Sequence, residues 1–107
     1  MFELKCYQEG GQIPFSEWLD ELDARTAGRI RAYTERMRSE NFGDTKNVGR
    51  GVLELKLNFG PGYRVYYLRD GVSVVLLLCG GDKGSQEKDI QQAHNFAQNY
   101  WRQREKK

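Results

Sequence analysis

Residues 52–79 read VLELKLNFGPGYRVYYLRDGVSVVLLLC, three apolar runs separated by two turns. From Val52 to Phe59 the pattern alternates strictly. Leu53, Leu55, Leu57 and Phe59 fall on one side, Glu54, Lys56 and Asn58 on the other, which is the period of a half-buried strand. Gly60-Pro61-Gly62 turns the chain. Tyr63 to Leu68 then puts Tyr63, Val65 and Tyr67 on one face and Arg64 and Tyr66 on the other. Asp70-Gly71 is the signal of a two-residue hairpin. Val72 to Cys79 is apolar on both faces, as expected of a strand inside a sheet covered on both sides. Three consecutive antiparallel strands therefore organise the fold.

The flanks supply the rest. Upstream, Phe2 to Tyr7 alternates like a short strand, and Glu9-Gly10-Gly11 ends it. Pro14 suits the first position of a helix. Phe15, Trp18, Leu19 and Leu22 then recur at i, i+3, i+4 and i+7, one apolar stripe. Past Asp23 a charged second helix is predicted to about Asn41, with Ala27, Ile30, Thr34 and Met37 as its inner face. Residues 42–51 read as a glycine-rich loop carrying Lys46 and Arg50. Downstream, a last helix is predicted from Ser85 as N-cap through Trp101. Its inner face holds Ile90, Ala93, Ala97, Tyr100 and Trp101, and Arg102, Arg104, Lys106 and Lys107 form a solvated basic end. The order strand, two helices, three strands, helix is that of one α+β domain.

Bulk properties narrow the function. A chain of 107 residues is one domain. Seventeen lysines and arginines against fifteen acids leave a net charge of +2. No global field draws in nucleic acid, so a basic function needs a local cluster. The longest apolar run is too short to span a bilayer and no signal peptide is evident, so the expected location is cytoplasmic. Cys6 and Cys79 lack metal-ligand spacing and read as small reduced hydrophobes. His94 stands alone, and no metal or cofactor is expected.

One cluster does arise. The face that carries Lys56 also carries Arg64, Tyr66 and Glu54, and Lys83 lies just past the end of the next strand. Several cations on one face suit an anion. Phosphate fits best, since arginine offers it a planar fork and lysine a point charge. Aromatic rings among them suit unpaired RNA bases. Pattern alone leaves another reading open, in which Lys56 and Arg64 are the solvated side of a half-exposed sheet. Gly80-Gly81-Asp82-Lys83-Gly84 lacks the spacing of a nucleotide-binding loop.

Four stretches, VLELK, GPGYRVYY, LLCGGDK and QEKDIQQA, resemble the RelE/ParE toxin superfamily, and most closely its HigB-like or phage Gp49-like "addiction module killer protein" branch. The resemblance covers nearly the whole chain. It implies a RelE-like β-α-α-β-β-β-α fold with a mostly antiparallel sheet packed on a helical hairpin, and the role of toxin in a type II toxin–antitoxin pair. The implied partners are a helix-turn-helix antitoxin, the ribosome and mRNA. The implied chemistry is metal-independent cleavage of mRNA, with the ribose 2′-hydroxyl attacking the adjacent phosphate. By the same resemblance Arg64 steadies the pentavalent phosphate. Lys56 is the general base, a role open to it only as the neutral amine, and Lys83 serves the leaving 5′-oxygen. Glu54 stands where the family has a further lysine, and Asp89 where it has a base-stacking tyrosine. Arg50, Glu54, Tyr63 and Tyr66 are the residues left to hold the substrate. A ParE-type gyrase inhibitor or an inactive antitoxin-binding remnant would share this scaffold.

Overall fold

In the computed structural model, which describes residues 1–105, the elements run β1 (Glu3–Cys6), α1 (Pro14–Asp20), α2 (Ala24–Glu35), a 3₁₀ turn (Arg36–Ser39), β2 (Thr45–Asn47), β3 (Leu53–Leu57), β4 (Tyr63–Asp70), β5 (Val74–Gly81), a second 3₁₀ turn (Lys83–Ser85) and α3 (Gln86–Glu105). The five strands form one sheet in the order β1-β5-β4-β3-β2. Only β1 with β5 is parallel; the other pairs are antiparallel. Strand β5 is interior, as its two apolar faces require.

The sheet has a core on each side. Phe15, Leu19, Ile30 and Met37 of the α1–α2 hairpin and its extension pack on Leu55, Leu57, Val65, Tyr67, Val75 and Leu77. On the opposite face, Ala93, Phe96 and Ala97 of α3 pack on Tyr66, Leu68, Leu76, Leu78 and Cys79. The architecture is thus hairpin, sheet, helix. The face that reads as polar on β3 and β4 lies on the α3 side.

Some predicted boundaries shift. The second helix is α-helical only to Glu35 and tightens into the 3₁₀ turn. Glu40, with φ of 65°, ends it, and the Asn41 N–H bonds back to the Arg36 carbonyl at 3.1 Å. Inside the predicted loop 42–51 lies β2, too short and polar to show alternation, which pairs Lys46 with Glu54. At the β4–β5 turn Asp70 stays in the ladder opposite Val74, so the loop is Gly71-Val72-Ser73 rather than Asp70-Gly71. The Asp70 carboxylate accepts from Tyr100 Oη and pairs with Arg104, each at 2.6 Å. Arg104 is therefore a clamp on the sheet and not part of a purely solvated end; Lys106 and Lys107 lie outside the described residues.

The last helix starts at Gln86, directly after Ser85 as predicted, but a 3₁₀ turn leads into it, and that turn has its own cap. Asp82 is the cap: its side chain accepts from the N–H groups of Gly84 at 2.8 Å and Ser85 at 3.3 Å, and α3 follows from Gln86.

A bulge explains the glycine pair at the end of β5. Tyr67 faces Leu77, but Tyr66 faces Cys79, so Leu78 is the extra residue. The parity of β5 flips there. Leu78 and Cys79 both join the α3-side core, Gly80 turns toward Trp18 of α1, and Gly81 turns toward α3. A Cβ on Gly80 would fall inside the Trp18 ring, and one on Gly81 would overlap the Asp89 carboxylate. Close approach by a helix from each side permits no side chain at either position.

Candidate functional site

The ladder brings Lys56, Arg64 and Gly81 into one row across β3, β4 and β5. The next row holds Lys46, Glu54, Tyr66 and Cys79. Lys83 opens the 3₁₀ turn two residues past Gly81. Gly62 sits where Arg64 and Lys83 converge: a Cβ there would lie 3.0 Å from Arg64 Nη1 and 3.6 Å from Lys83 Cβ. The three basic residues assigned to catalysis by resemblance therefore meet at one end of the sheet. Lys56 and Lys83 are exposed.

Arg64 departs from a solvated strand residue. Only 6% of it reaches solvent. Its Nη1 donates to the Gly62 carbonyl, and its buried Nε has no partner. Among the described residues no carboxylate oxygen lies within 4.0 Å of its guanidinium. The strand pattern alone would leave this arginine in water.

Glu54 and Tyr66 are not substrate-contact residues on an open face. They are 1% and 0% exposed and bonded to each other, Tyr66 Oη donating to Glu54 Oε2 at 3.0 Å. Gln86 of α3 donates to the same oxygen at 2.9 Å, and Lys46 lies 3.7 Å from Oε1. Burial first, and the Glu54 charge next, drive the Tyr66 phenol far above its ordinary range. A ring packed beneath α3 has no face left for a base.

Tyr63 belongs to the other side, against Phe59 and Trp18. Arg50 lies at the far end of β3, in the left-handed region with φ of 54° between Gly49 and Gly51. There it lines a cleft of about 370 Å³ with His94, Gln98, Trp101 and Arg102. It does not join the three cations. His94 Nε2 donates to the Val48 carbonyl at 2.9 Å, tying that loop to α3.

Three contributors have roles here that the sequence pattern did not assign. Lys46 adds a fourth cation to this face, but it lies on a strand too short to show a pattern. Gln86 reaches Glu54 across 32 residues of sequence. Asp89 is buried, accepts from the Ser85 hydroxyl, and occupies the space that Gly81 leaves empty. A glycine pair running into a capped helix was the signal available for Asp89.

Nucleophilic and metal chemistry find little here. Burial pushes the Cys79 thiol up to about 12. Among the described residues no three His, Cys, Asp or Glu side chains are grouped to hold a metal. Among the described residues no helix is long and apolar enough to cross a membrane.

Residues 17–100 match the family described as "Phage derived protein Gp49-like". The chain belongs to this family. The Gp49-like family is related to toxin–antitoxin systems, which implies an antitoxin as partner. An uncharacterized protein of Haemophilus influenzae (strain ATCC 51907 / DSM 11121 / KW20 / Rd) is 45% identical over 87 residues, covering 80% of this chain and 88% of that protein. The family match takes in α2, the whole β3–β5 unit and most of α3, and so includes every residue of the basic row.

Proposed function

We propose that this Gp49-like protein is the toxin of a type II toxin–antitoxin pair within the RelE/ParE superfamily, and that it cleaves mRNA on the ribosome in the cytoplasm. The observation that carries the reading is Arg64, a buried guanidinium with no carboxylate beside it, between two exposed lysines. A charge withheld from water is costly unless an anion compensates it. Here the Gly62 carbonyl is the oxygen in contact with it, a neutral stand-in for a phosphate oxygen.

In the proposed reaction the 2′-oxygen bonds to phosphorus and the P–O5′ bond breaks, giving a 2′,3′-cyclic phosphate and a 5′-hydroxyl. Lys56, exposed on the same row, takes the 2′ proton. Arg64 holds the equatorial oxygens as charge builds on them, exchanging the Gly62 carbonyl for phosphate. Lys83 supplies the proton or the charge that the departing 5′-oxygen needs. Glu54, tied to Tyr66 and Gln86, fixes the floor and holds Lys46 beside the row.

With a net charge of +2, phosphate attraction is modest and is screened within ~8 Å at physiological salt. The ribosome supplies the missing tethering and substrate geometry. The antitoxin, proposed to be a helix-turn-helix protein, neutralises by covering the Lys56–Lys83 end or its approach. The test is expression in cells followed by primer extension on a reporter mRNA. Cuts within translated codons are expected. A DNA-damage response without cuts would instead indicate a gyrase target, and no phenotype would indicate a remnant.

A further inference from the structure

A second charged surface lies on the opposite side of the sheet. Residues 24–39 hold five arginines and one glutamate, so four of the chain's positive charges are uncompensated within one short segment. The glutamate, Glu35, is taken by Arg38 at 2.6 Å. Arg25, Arg29, Tyr33 and Arg36 recur at spacings of four, four and three, which is one stripe on the outer side of α2 and its extension.

Arg29 and Arg36 of this stripe are held by rings and not by acids. The Arg29 guanidinium lies 3.9 Å from the Phe59 ring centroid, and that of Arg36 lies 4.5 Å from Tyr33. Phe59 in turn stacks on Tyr33 at 6.1 Å and packs against Tyr63 at 5.5 Å. Among the described residues neither Arg25, Arg29 nor Arg36 has a carboxylate within 4.0 Å. A ring beneath a guanidinium fixes its plane and leaves the N–H edges free for another acceptor. Two clefts open beside the stripe, about 310 Å³ between Arg25, Arg29, Phe59 and Tyr63, and about 190 Å³ between Arg29, Tyr33 and Phe59. The second also reaches Lys56, past the single carboxylate of Asp44.

We infer that this stripe binds the substrate RNA strand outside the scissile position, its phosphates on Arg25, Arg29 and Arg36, and that Lys56 is where the strand passes from the stripe to the cleavage row. The inference rests on the proposed RNA cleavage, because continuity through Lys56 is what selects the substrate strand as occupant. Charge complementarity selects a polyanion, and aromatic support of unpaired cations is the pattern of single-strand binding surfaces.

The test measures binding of 2′-O-methyl RNA oligonucleotides, which cannot be cut, to the purified chain at several salt concentrations. Lengths of three and ten nucleotides are compared for the parent and for Arg29→Gln/Arg36→Gln. The parent should gain affinity with length. The double variant should lose most of that gain. Its slope of log K against log salt should fall by about 1.4, roughly 0.7 for each single-strand phosphate that an arginine no longer neutralises. Equal gains and slopes in the two proteins would overturn the inference. So would unchanged oligonucleotide binding with weakened binding to empty ribosomes or to the antitoxin, which would reassign the stripe to ribosomal RNA or to protein. Because no cleavage is measured, loss of the nuclease reading in cells leaves this outcome separately readable.

Discussion

Replacing Arg64 by methionine separates function from stability at a single atom group. The substitution keeps an unbranched apolar stem in a side chain that is 6% exposed, and removes the guanidinium. That group makes one bond, to the Gly62 carbonyl, and leaves Nε without a partner. A hydrogen bond from a charged donor contributes about 1.5–3 kcal/mol. Withdrawing the charge from water costs several kcal/mol, about 1–4 of which are commonly recovered when buried charges are replaced by apolar groups of similar volume. The two ranges nearly cancel, so Arg64→Met is expected to lie within about 2 kcal/mol of the parent. For a chain of this length that is a change in Tm of no more than about 9 °C. Cleavage should meanwhile slow by a factor on the order of 10² or more, since a preorganised donor to the phosphate is removed. The assay is thermal melting by circular dichroism beside growth arrest and primer extension in cells. A Tm more than about 10 °C below the parent's would mean that Arg64 holds the fold together. Full toxicity in a well-folded Arg64→Met protein would remove the arginine from the chemistry and with it the reading of this row.

Lys56→Ala and Lys83→Ala remove exposed side chains, so melting should stay within about 0.5 kcal/mol of the parent while toxicity falls; toxicity equal to the parent's in both would refute their assignment. Gly80→Ala drives a Cβ into Trp18 and should destabilise by about 1–3 kcal/mol, read as an earlier urea midpoint. Its melting like the parent would contradict the close approach of α1 to β5. Tyr66 has its phenol raised in the folded state, so the fold holds a proton that the unfolded chain begins to lose near pH 10. That contribution is complete below pH 10 and declines above it, by up to about 1.4 kcal/mol per pH unit. Tyr66→Phe should therefore flatten the alkaline fall in stability between about pH 10 and 12, and an unchanged slope would show that the buried phenol is not its source.

Much was legible in the sequence because it depends on short-range periodicity. Alternation over Val52–Phe59 and Tyr63–Leu68 set two strands and their faces. The two-sided apolar run of β5 set its interior place, and the stripe Phe15, Trp18, Leu19, Leu22 set the first helix. The cross-strand neighbours Lys56 and Arg64 followed from the turn between them, so the basic row could be named before any tertiary structure. The family resemblance added the roles proposed for its members, which no pattern in the chain contains.

What the tertiary structure decided depends on packing between elements distant in the chain. Whether a charged strand face is wet depends on what covers it, and α3, joined only after β5, covers Glu54 and Tyr66. Strand β2 exists because β3 offers an edge to pair with, not because Thr-Lys-Asn favours a strand. The parity flip at Leu78 cannot be read from an apolar run, since every residue there suits either face. Only contact with Trp18 on one side and Asp89 on the other fixes which way each glycine points. The sequence by itself thus determined which residues could share a face, through a period of two that the backbone imposes. The assembled layers determined which face meets solvent and which charge is left without a partner, because burial is a property of the whole chain.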